Sequence, residues 1–502
     1  MESASILLSA IVFSPLLVLL FLLFVPKKEF GTIRLLGFLG TLPAFILSSW
    51  LLWQYHQGLD LSTIAESRNW IRFGLFPDEE NRPFTVNYEL GLNGFSLLMI
   101  WLASFLSTVA SVASLQIKER VKGYFIWFFL LEIGMLGVFA AENLILFFLF
   151  FEVTLVSLFF LIGKWGGFEK EKAAYQYLLY NGFGSGVLLL VIAFLFAKTG
   201  TVQISELTTF LQRDDIPFTN NDKLWLMIAL LISFGIKIPI FPFHTWMLKV
   251  HVQAPPAIVI LHSGILLKIG AYGLLQFGLG FFPNEFERIS FLLLILGLVN
   301  LLYGAFLAFI QDEFKLVLAY SSVSHMGIVL LGLGALNEAG LQGAIFQVIS
   351  HGLISALLFY IVNIIQSRHE TTKLQKLGGL ASYMPKTAGL LLVAGLASLG
   401  LPSMSGFISE LTAFIGVFKE YLIIGLIGTI GLILTAAYIL RAVLSINFGS
   451  PKFDKNEEDM KWVEFTPALV IVFFILLIGV YPNFLSNPLK IVLLTLLKGI
   501  GG

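Results

Sequence analysis

The 502-residue chain contains no cysteine and little charge. The absence of cysteine excludes disulfide bonds, thiolate-bound iron–sulfur clusters and cysteine-based zinc sites. Asp, Glu, Lys and Arg make up 12% of the residues and balance to zero, about half of the share that is usual in soluble proteins. The sequence has no basic patch with interleaved aromatic residues, no metal-ligand pair at a useful spacing and no glycine loop for phosphate. We therefore expect no nucleic acid, metal or cofactor to bind this chain.

Long apolar runs fill most of the sequence instead. Hydrophobic residues account for 57% of the chain, and its mean hydropathy is +0.90. In lipid, only helices and closed barrels satisfy the backbone hydrogen bonds. The runs are continuous and about 20 residues long, as in spanning helices, without the alternation of barrel strands. The sequence predicts an all-α, multi-pass membrane protein.

The apolar runs predict about fourteen transmembrane helices. The first run lacks a basic segment before it, so we interpret it as a span and not as a cleaved signal. Basic residues are concentrated in the odd-numbered loops, which predicts that these loops are cytoplasmic and that both termini lie on the outer side of the plasma membrane. The predicted spans are 3–25, 33–55, 88–115, 124–141, 143–163, 174–197, 224–243, 253–280, 289–310, 316–335, 341–366, 386–416, 421–446 and 463–483, with only loops at 56–87, 198–223 and 447–462 and a short amphipathic tail after the last span.

Several ionisable residues fall inside these spans. Each such charge costs about 2.5–3.5 kcal/mol on insertion scales, so intramembrane charges usually mark a path for protons or ions. The alternative is a static buried ion pair, which is often no more stable than apolar packing. We predict that proton transfer uses Glu152, Lys237, Lys268 and Glu410. Glu132 within a span and Glu142 near a span end are further candidates, although either could simply satisfy a neighbouring helix.

A buried lysine beside a carboxylate has a simple physical logic as a proton carrier. In general, burial disfavours the ammonium form of a lysine, and a nearby carboxylate favours it again. A carboxylate that moves toward or away from the amine can therefore load and release one proton.

Two of the predicted spans are interrupted. Pro239 and Pro242 fall in the seventh span, and Pro402 and Gly406 fall in the twelfth. Proline removes a helical hydrogen bond, and freed backbone at membrane depth needs protein or water beside it. Broken helices at corresponding places in two halves are typical of a transporter site, whereas the alternative is an ordinary proline kink. Each break lies in the fourth span of a group of five, which suggests the division 1–123, 124–280, 281–446 and 447–502.

Histidines are few, and several fall close to the charged residues. Imidazole titrates near neutral pH and can pass protons, although a single histidine in a helix is more often a satisfied core residue. We predict a proton relay at His244, His325 and His351. His262 is a weaker candidate because it lies six residues before Lys268 and faces another side of the helix. His251, which also flanks the break, is weaker than His244.

These residues lie in motifs that resemble a known family, the antiporter-like subunits of respiratory complex I and of multisubunit sodium/proton antiporters. The resemblance covers nearly the whole chain. Its motifs are Gly91-Leu-Asn-Gly-Phe-Ser-Leu-Leu, Phe148-Leu-Phe-Phe-Glu152, Phe234-Gly-Ile-Lys237-Ile-Pro, Phe243-His-Thr-Trp246, Gln253-Ala-Pro, Gly264-Ile-Leu-Leu-Lys268-Ile-Gly-Ala-Tyr-Gly273, Ala319-Tyr-Ser-Ser-Val-Ser-His-Met-Gly327 and Gly406-Phe-Ile-Ser-Glu410.

The resemblance implies two inverted five-helix repeats, each a half-channel, joined by a polar axis at mid-membrane. It implies that Glu152 pairs with Lys237, that Lys268 and the histidines bridge the halves, and that Glu410 is the terminal site. Glu410 replaces the lysine typical of several branches, and the chain ends without a long lateral helix; both features favour the M-type branch. Lys249 departs from the family, which usually has an aspartate near this place.

The function implied by the resemblance is proton pumping in a bacterial plasma membrane, driven by redox chemistry in other subunits of an NADH dehydrogenase. The implied partners are other membrane-arm subunits, including neighbouring antiporter-like subunits, and the lipid bilayer. Two alternatives stay open: a subunit of a sodium/proton antiporter, or the membrane arm of an energy-converting hydrogenase. The charges inside the spans disfavour a purely structural scaffold.

Overall fold

A computed structural model describes residues 6–73, 84–211, 213, 218–452 and 458–498. The first part of the chain forms three helices and a β-hairpin: α1 (Leu7–Phe24), α2 (Phe30–Leu39), α3 (Leu42–His56), β1 (Glu66–Phe73) and β2 (Phe84–Leu90). The two strands are antiparallel, with Glu66 opposite Leu90 and Phe73 opposite Phe84.

The hairpin corrects the prediction of a loop at 56–87 and of a span that begins at 88. In β2 the side chains of Val86 and Leu90 are buried, and this alternation is that of a half-buried strand. The third membrane helix begins only at Gly94, because Asn93 caps it by accepting a hydrogen bond from the backbone N–H of Ser96.

The first group of helices contains the first break. It consists of α4 (Gly94–Ala113), α5 (Val121–Ala140), α6 (Leu144–Trp165), α7 (Lys170–Thr199), α8 (Ile204–Leu211), α9 (Asn220–Lys237), α10 (Thr245–Gln253), α11 (Pro256–Leu261) and α12 (Lys268–Gly273), and the break lies between α9 and α10. Two π-helical turns, His262–Leu266 and Leu274–Leu279, follow α11 and α12, so 256–279 is one continuous helical span.

The second group contains the second break and the C-terminal helices. It consists of α13 (Pro283–Ile310), α14 (Phe314–Gly334), α15 (Glu338–His369), α16 (Leu380–Tyr383), α17 (Pro385–Ser398), α18 (Ser405–Glu420), α19 (Leu422–Asn447), α20 (Trp462–Val480) and α21 (Asn483–Lys498). Short 3₁₀ turns occur at Leu61–Ile64, Ser114–Gln116 and Leu374–Lys376.

The predicted all-α membrane fold is confirmed. In the described parts of the chain, twelve helices are long and apolar enough to cross a membrane. The predicted seventh span is divided into α9 and α10, and the predicted twelfth into α17 and α18.

Burial separates the helices into an inner and an outer set. In both the span 256–279 and helix α15, an apolar stretch of 18 residues is wholly buried by the rest of the protein. Helices α7, α13, α19 and α20 instead carry large exposed apolar side chains, such as Leu190, Phe291, Ile433 and Phe473. Because lipid is as apolar as these side chains, the outer faces are suited to the bilayer. The inner set can therefore hold polar groups away from lipid.

Glycine lets two helices of the second group pack at backbone distance. A Cβ on Gly327 of α14 would lie 2.5 Å from the backbone nitrogen of Leu301 and 2.6 Å from the carbonyl oxygen of Gly297, both in α13. Such small residues allow close helix packing in membranes.

We expect Gly327→Ala to push α13 from α14 and to destabilise the protein by about 1–3 kcal/mol, the usual cost of overpacking. Gly186→Ala is the matched control, because a Cβ there meets nothing within 4 Å. Thermal unfolding of the two variants in detergent checks this: equal midpoints would contradict the close packing of α13 on α14.

Candidate functional site: a buried row of ionisable side chains

Lys237 is the last residue of α9, directly before the first break. Its side chain is only 2% exposed, and Nζ lies 4.6 Å from the ring centre of Phe151 and 5.8 Å from that of Tyr177. Both rings and the carbonyl end of α9 attract an ammonium group. Glu152 follows Phe151 in α6, and its carboxylate interacts electrostatically with Lys237. The acid and the base thus lie close enough to influence each other's charge, and Tyr177 interacts with both.

The first break is held by a residue from the other group of helices. Asn300 of α13 accepts a hydrogen bond from the backbone N–H of Phe241 (2.8 Å) and donates one to the carbonyl of Pro239 (3.2 Å). Asn300 is fully buried. It therefore supplies the partners that broken backbone needs at membrane depth. Sequence reasoning missed Asn300, although a single asparagine in an apolar run always requires a partner.

Two histidines lie between Lys237 and Lys268. His251 Nε2 and His262 Nδ1 are 2.9 Å apart, and both side chains are buried. The ring of His262 packs near Tyr177, the same ring that contacts Lys237. From the sequence, both histidines are weaker candidates than His244, because neither their contact nor the packing of their helices can be inferred from the spacing of residues.

His244 lies outside this row. Its ring stacks on Phe241 at 5.8 Å and meets the edge of Tyr303 at 5.2 Å between ring centres. Neither ring nitrogen has a hydrogen-bond partner among the described residues. The structure therefore does not join His244 to the other predicted relay residues.

Lys268 lies at the centre of the row. It is fully buried in the span 256–279, between the two π-helical turns, and such turns are frequent at functional sites. Its Nζ donates a hydrogen bond to the carbonyl of Ser263 and lies 2.8 Å from Nδ1 of His351. The amine thus joins the first group of helices to α15 of the second.

The row continues from His351 to Glu410. The rings of His351 and His325 are 5.1 Å apart at an angle of 46°, and Nδ1 of His325 lies 3.5 Å from Oε1 of Glu410. Gln347 donates to the same nitrogen at 3.0 Å and accepts a hydrogen bond from Ser409. Gln347 and Ser409 were not predicted, because neither residue type is unusual in a helix.

The second break lies against Glu410. Gly400 has a φ of +78°, and a Cβ there would be 2.8 Å from Oε2 of Glu410. Glu410 itself lies in the second turn of α18. The predicted break at Gly406 is wrong by a few residues. Gly406 lies inside α18, where its missing side chain leaves room for the carbonyl of Ala397.

A small polar cavity adjoins the row at His351. It measures about 10 Å³, close to the space that one water molecule needs. Among its lining residues are the hydroxyl side chains Ser321, Ser322, Ser355 and Ser398. The cavity could therefore hold a water molecule beside the imidazole.

The two remaining predicted acids lie apart from the row. Glu132 in α5 is fully buried, and neither of its carboxylate oxygens has a partner among the described residues. Glu142 lies between α5 and α6, outside the membrane helices. Burial, together with the charge of Glu89, raises the pKa of Glu142 to about 7.

Within the described residues, no three histidine, aspartate or glutamate side chains are grouped so that they could hold a metal ion. Contacts and electrostatic interactions in the row instead link proton donors and acceptors of alternating type: carboxylate, amine, imidazole pair, amine, imidazole pair and carboxylate. Such a series can pass protons sideways through the interior of the membrane.

The chain is similar to known proteins in sequence and in structure. Residues 141–439 match the family described as NADH:quinone oxidoreductase/Mrp antiporter, transmembrane region. NADH-quinone oxidoreductase subunit M of Rhodobacter capsulatus is 36% identical over 457 residues, which are 89% of this chain and 87% of that protein.

Two solved structures have the same fold. A chain of respiratory complex I from Thermus thermophilus is 26% identical, with a TM-score of 0.86 over 99% of this chain and 100% of that one. A chain of the Mrp complex from a Dietzia species is 20% identical, with a TM-score of 0.85 and complete coverage of both chains, and this likeness concerns the fold alone. By the family match and the identity to its relatives, the chain belongs to the NADH:quinone oxidoreductase/Mrp antiporter family of transmembrane subunits.

Proposed function

We propose that this chain is a proton-translocating membrane subunit of a bacterial NADH:quinone oxidoreductase, of the subunit M type. The observation that carries the proposal is the row from Glu152 to Glu410, which crosses from α6 to α18 through hydrogen bonds, ring contacts and electrostatic interactions between ionisable side chains. A static scaffold has no need for so many buried charges. The relatives named subunit M add support for membership in that enzyme.

The chain contributes proton transfer and not redox chemistry. We infer that a change in the separation of Glu152 and Lys237 changes how firmly the lysine holds its proton. The proton moves through the histidine pair to Lys268, then through His351 and His325 to Glu410. Electron transfer in other subunits of the complex supplies the energy, and no cofactor binds to this chain.

Each part of the chain has a role in the proposed subunit. Residues 124–280 and 281–446 form two half-channels, each with a broken helix, between the N-terminal spans (1–123) and the C-terminal segment (447–502). The two halves are inverted repeats within about fourteen spans. The protein lies in the plasma membrane with both termini on the outer side, and it contacts other membrane-arm subunits, including neighbouring antiporter-like subunits.

The proposal is tested with membrane vesicles from a strain that lacks this chain, complemented with a tagged copy. We expect the tagged chain to co-purify with NADH-oxidising and iron–sulfur subunits, and NADH oxidation to acidify the vesicles. Co-purification with small antiporter subunits, together with proton movement that depends on sodium and not on NADH, would assign the chain to a sodium/proton antiporter instead.

A further inference from the structure

Glu142, which the row leaves unused, lies on the boundary between two cavities near the β-hairpin. The first cavity has a volume of about 290 Å³ and is lined by Glu66, Glu89 and Glu142 among other residues. The second has a volume of about 400 Å³ and is lined by Glu142, Asn93 and Gln276 among others. Both cavities contain polar side chains and are large enough to admit water. Glu142 belongs to both linings, as does Ser205, and therefore lies where the two cavities adjoin.

The backbone around Glu142 is held on two sides. On one side, the N–H of Glu142 donates to the carbonyl of Glu89 (3.0 Å), and the N–H of Gly91 donates to the carbonyl of Ala140 (2.9 Å). On the other side, the N–H of Ile204 donates to the carbonyl of Glu142 (3.0 Å). A Cβ on Gly91 would lie 2.7 Å from Cγ of Glu142. The position of this carboxylate is thus built into the fold.

The first cavity contains an acid whose hydrogen bonding is incomplete. Glu89 is only 5% exposed. Its Oε1 accepts hydrogen bonds from Ser67 and Asn87, but its buried Oε2 has no partner among the described residues. Among the described residues that line the cavity, none is a lysine or an arginine. A buried carboxylate oxygen without a partner is costly, so this oxygen is a site where a bound donor would be stabilised.

Charged and titratable groups surround Glu142 on two sides. Glu66 and Glu89 face it from the hairpin, and Tyr272 of α12 interacts with its charge from the inner side. With its pKa raised to about 7 by burial and by Glu89, Glu142 exchanges protons in the physiological range.

The second cavity borders the span that carries the centre of the row. Gln276, which accepts a hydrogen bond from Asn93 at 3.1 Å, lies in the span that also carries Tyr272 and Lys268. The three residues follow each other at intervals of four, a spacing that places helical side chains on neighbouring turns.

We propose that Glu142, beside Glu89, forms a proton-binding portal that connects Lys268 with the hairpin side of the membrane. Glu142 takes up a proton from the first cavity and releases it into the second, or the reverse, and Gln276 and Tyr272 line the way to Lys268. This inference rests on the proposed function, because it supplies the row with an opening to water. The charge bias of the loops predicts that the hairpin side is the outer side.

The test compares Glu142→Gln with Glu206→Gln in the assembled complex. Glutamine keeps the shape of the side chain but does not titrate. Glu206 is a matched control, since it lies in α8 near the same surface but lines neither cavity. We expect Glu142→Gln to slow NADH-driven proton pumping about tenfold or more, because a group that takes part in proton transfer is lost, and Glu206→Gln to leave it unchanged. Pumping at the wild-type rate in the assembled Glu142→Gln complex would overturn the portal.

The same pumping assay on Lys237→Ala distinguishes failure of the portal from failure of the proposed function. Loss of pumping in Lys237→Ala alone, with normal pumping in Glu142→Gln, would reject the portal but leave the proposed function intact. Normal pumping in Lys237→Ala would reject the proposed function itself.

Accessibility provides a readout that does not depend on pumping. The chain has no cysteine, so a Gln276→Cys variant carries a single thiol in the second cavity, and Leu275→Cys places one in the buried neighbouring position. We expect a membrane-impermeant maleimide to label the first variant from the hairpin side only, and the second not at all. If Glu142→Gln fails to assemble, this labelling decides: an unreactive Gln276→Cys thiol in the assembled complex would overturn the proposal.

Discussion

Replacing Lys237 by alanine is expected to reduce proton pumping about tenfold or more while the complex still assembles. The substitution removes the amine that lies between Glu152 and the His251–His262 pair, so the first group of helices loses its proton carrier. It also leaves the buried carboxylate of Glu152 without its nearby cation. Glu152→Ala should cause the same loss, because either change removes one member of the acid–base pair.

The measurement is the initial rate of NADH-driven acidification in inverted vesicles, divided by the amount of assembled complex. Lys249→Ala is the matched control: Lys249 lies in α10, close in sequence but with its side chain outside the row. Retained pumping in both Lys237→Ala and Glu152→Ala would remove this pair from the mechanism.

Lys268→Arg should be nearly as damaging as Lys268→Met. Arginine preserves the positive charge at the centre of the row, but its guanidinium does not give up a proton in proteins. Methionine preserves the apolar stem and removes both charge and proton. In either variant the contact between Nζ and His351 no longer passes a proton, and we expect pumping to fall about tenfold or more.

The comparison separates two roles of Lys268. If the amine carries protons, both variants fail, whereas a lysine that only provides a fixed charge would be replaced well by arginine. Wild-type pumping in an assembled Lys268→Arg complex would therefore show a fixed-charge role, with the amount of complex measured in parallel.

The charged residues of the site could be predicted from the sequence, because charged residues are rare in membrane-spanning helices. Lys237, Lys268 and Glu410 stand out because each interrupts an apolar run, and the prolines near them show where the helix cannot continue. The fold class follows from the same apolar runs. The sequence predicts Gly406 as part of the break because glycine is common both in turns and where two helices pack closely.

Contacts between distant parts of the chain could not be predicted in this way. His251 and His262 meet because α10 packs beside the span 256–279, and no spacing in the sequence reports that pairing. Asn300 lies about sixty residues from the break that it holds. The hairpin was missed because polar residues follow one another in β1, from Glu66 to Asn69, so that the alternation typical of a strand is weak.

The burial of the apolar stretch of α15 affects how the protein enters the membrane during synthesis. His351 lies in this helix, and it is packed by α17, α18 and α20, which are translated after it. For as long as these later helices are missing, the polar face of α15 has no protein to cover it. The insertion machinery must therefore shelter 338–369 until the last helices arrive, so that a chain truncated before α18 would expose its histidines to lipid and be a substrate for membrane proteases.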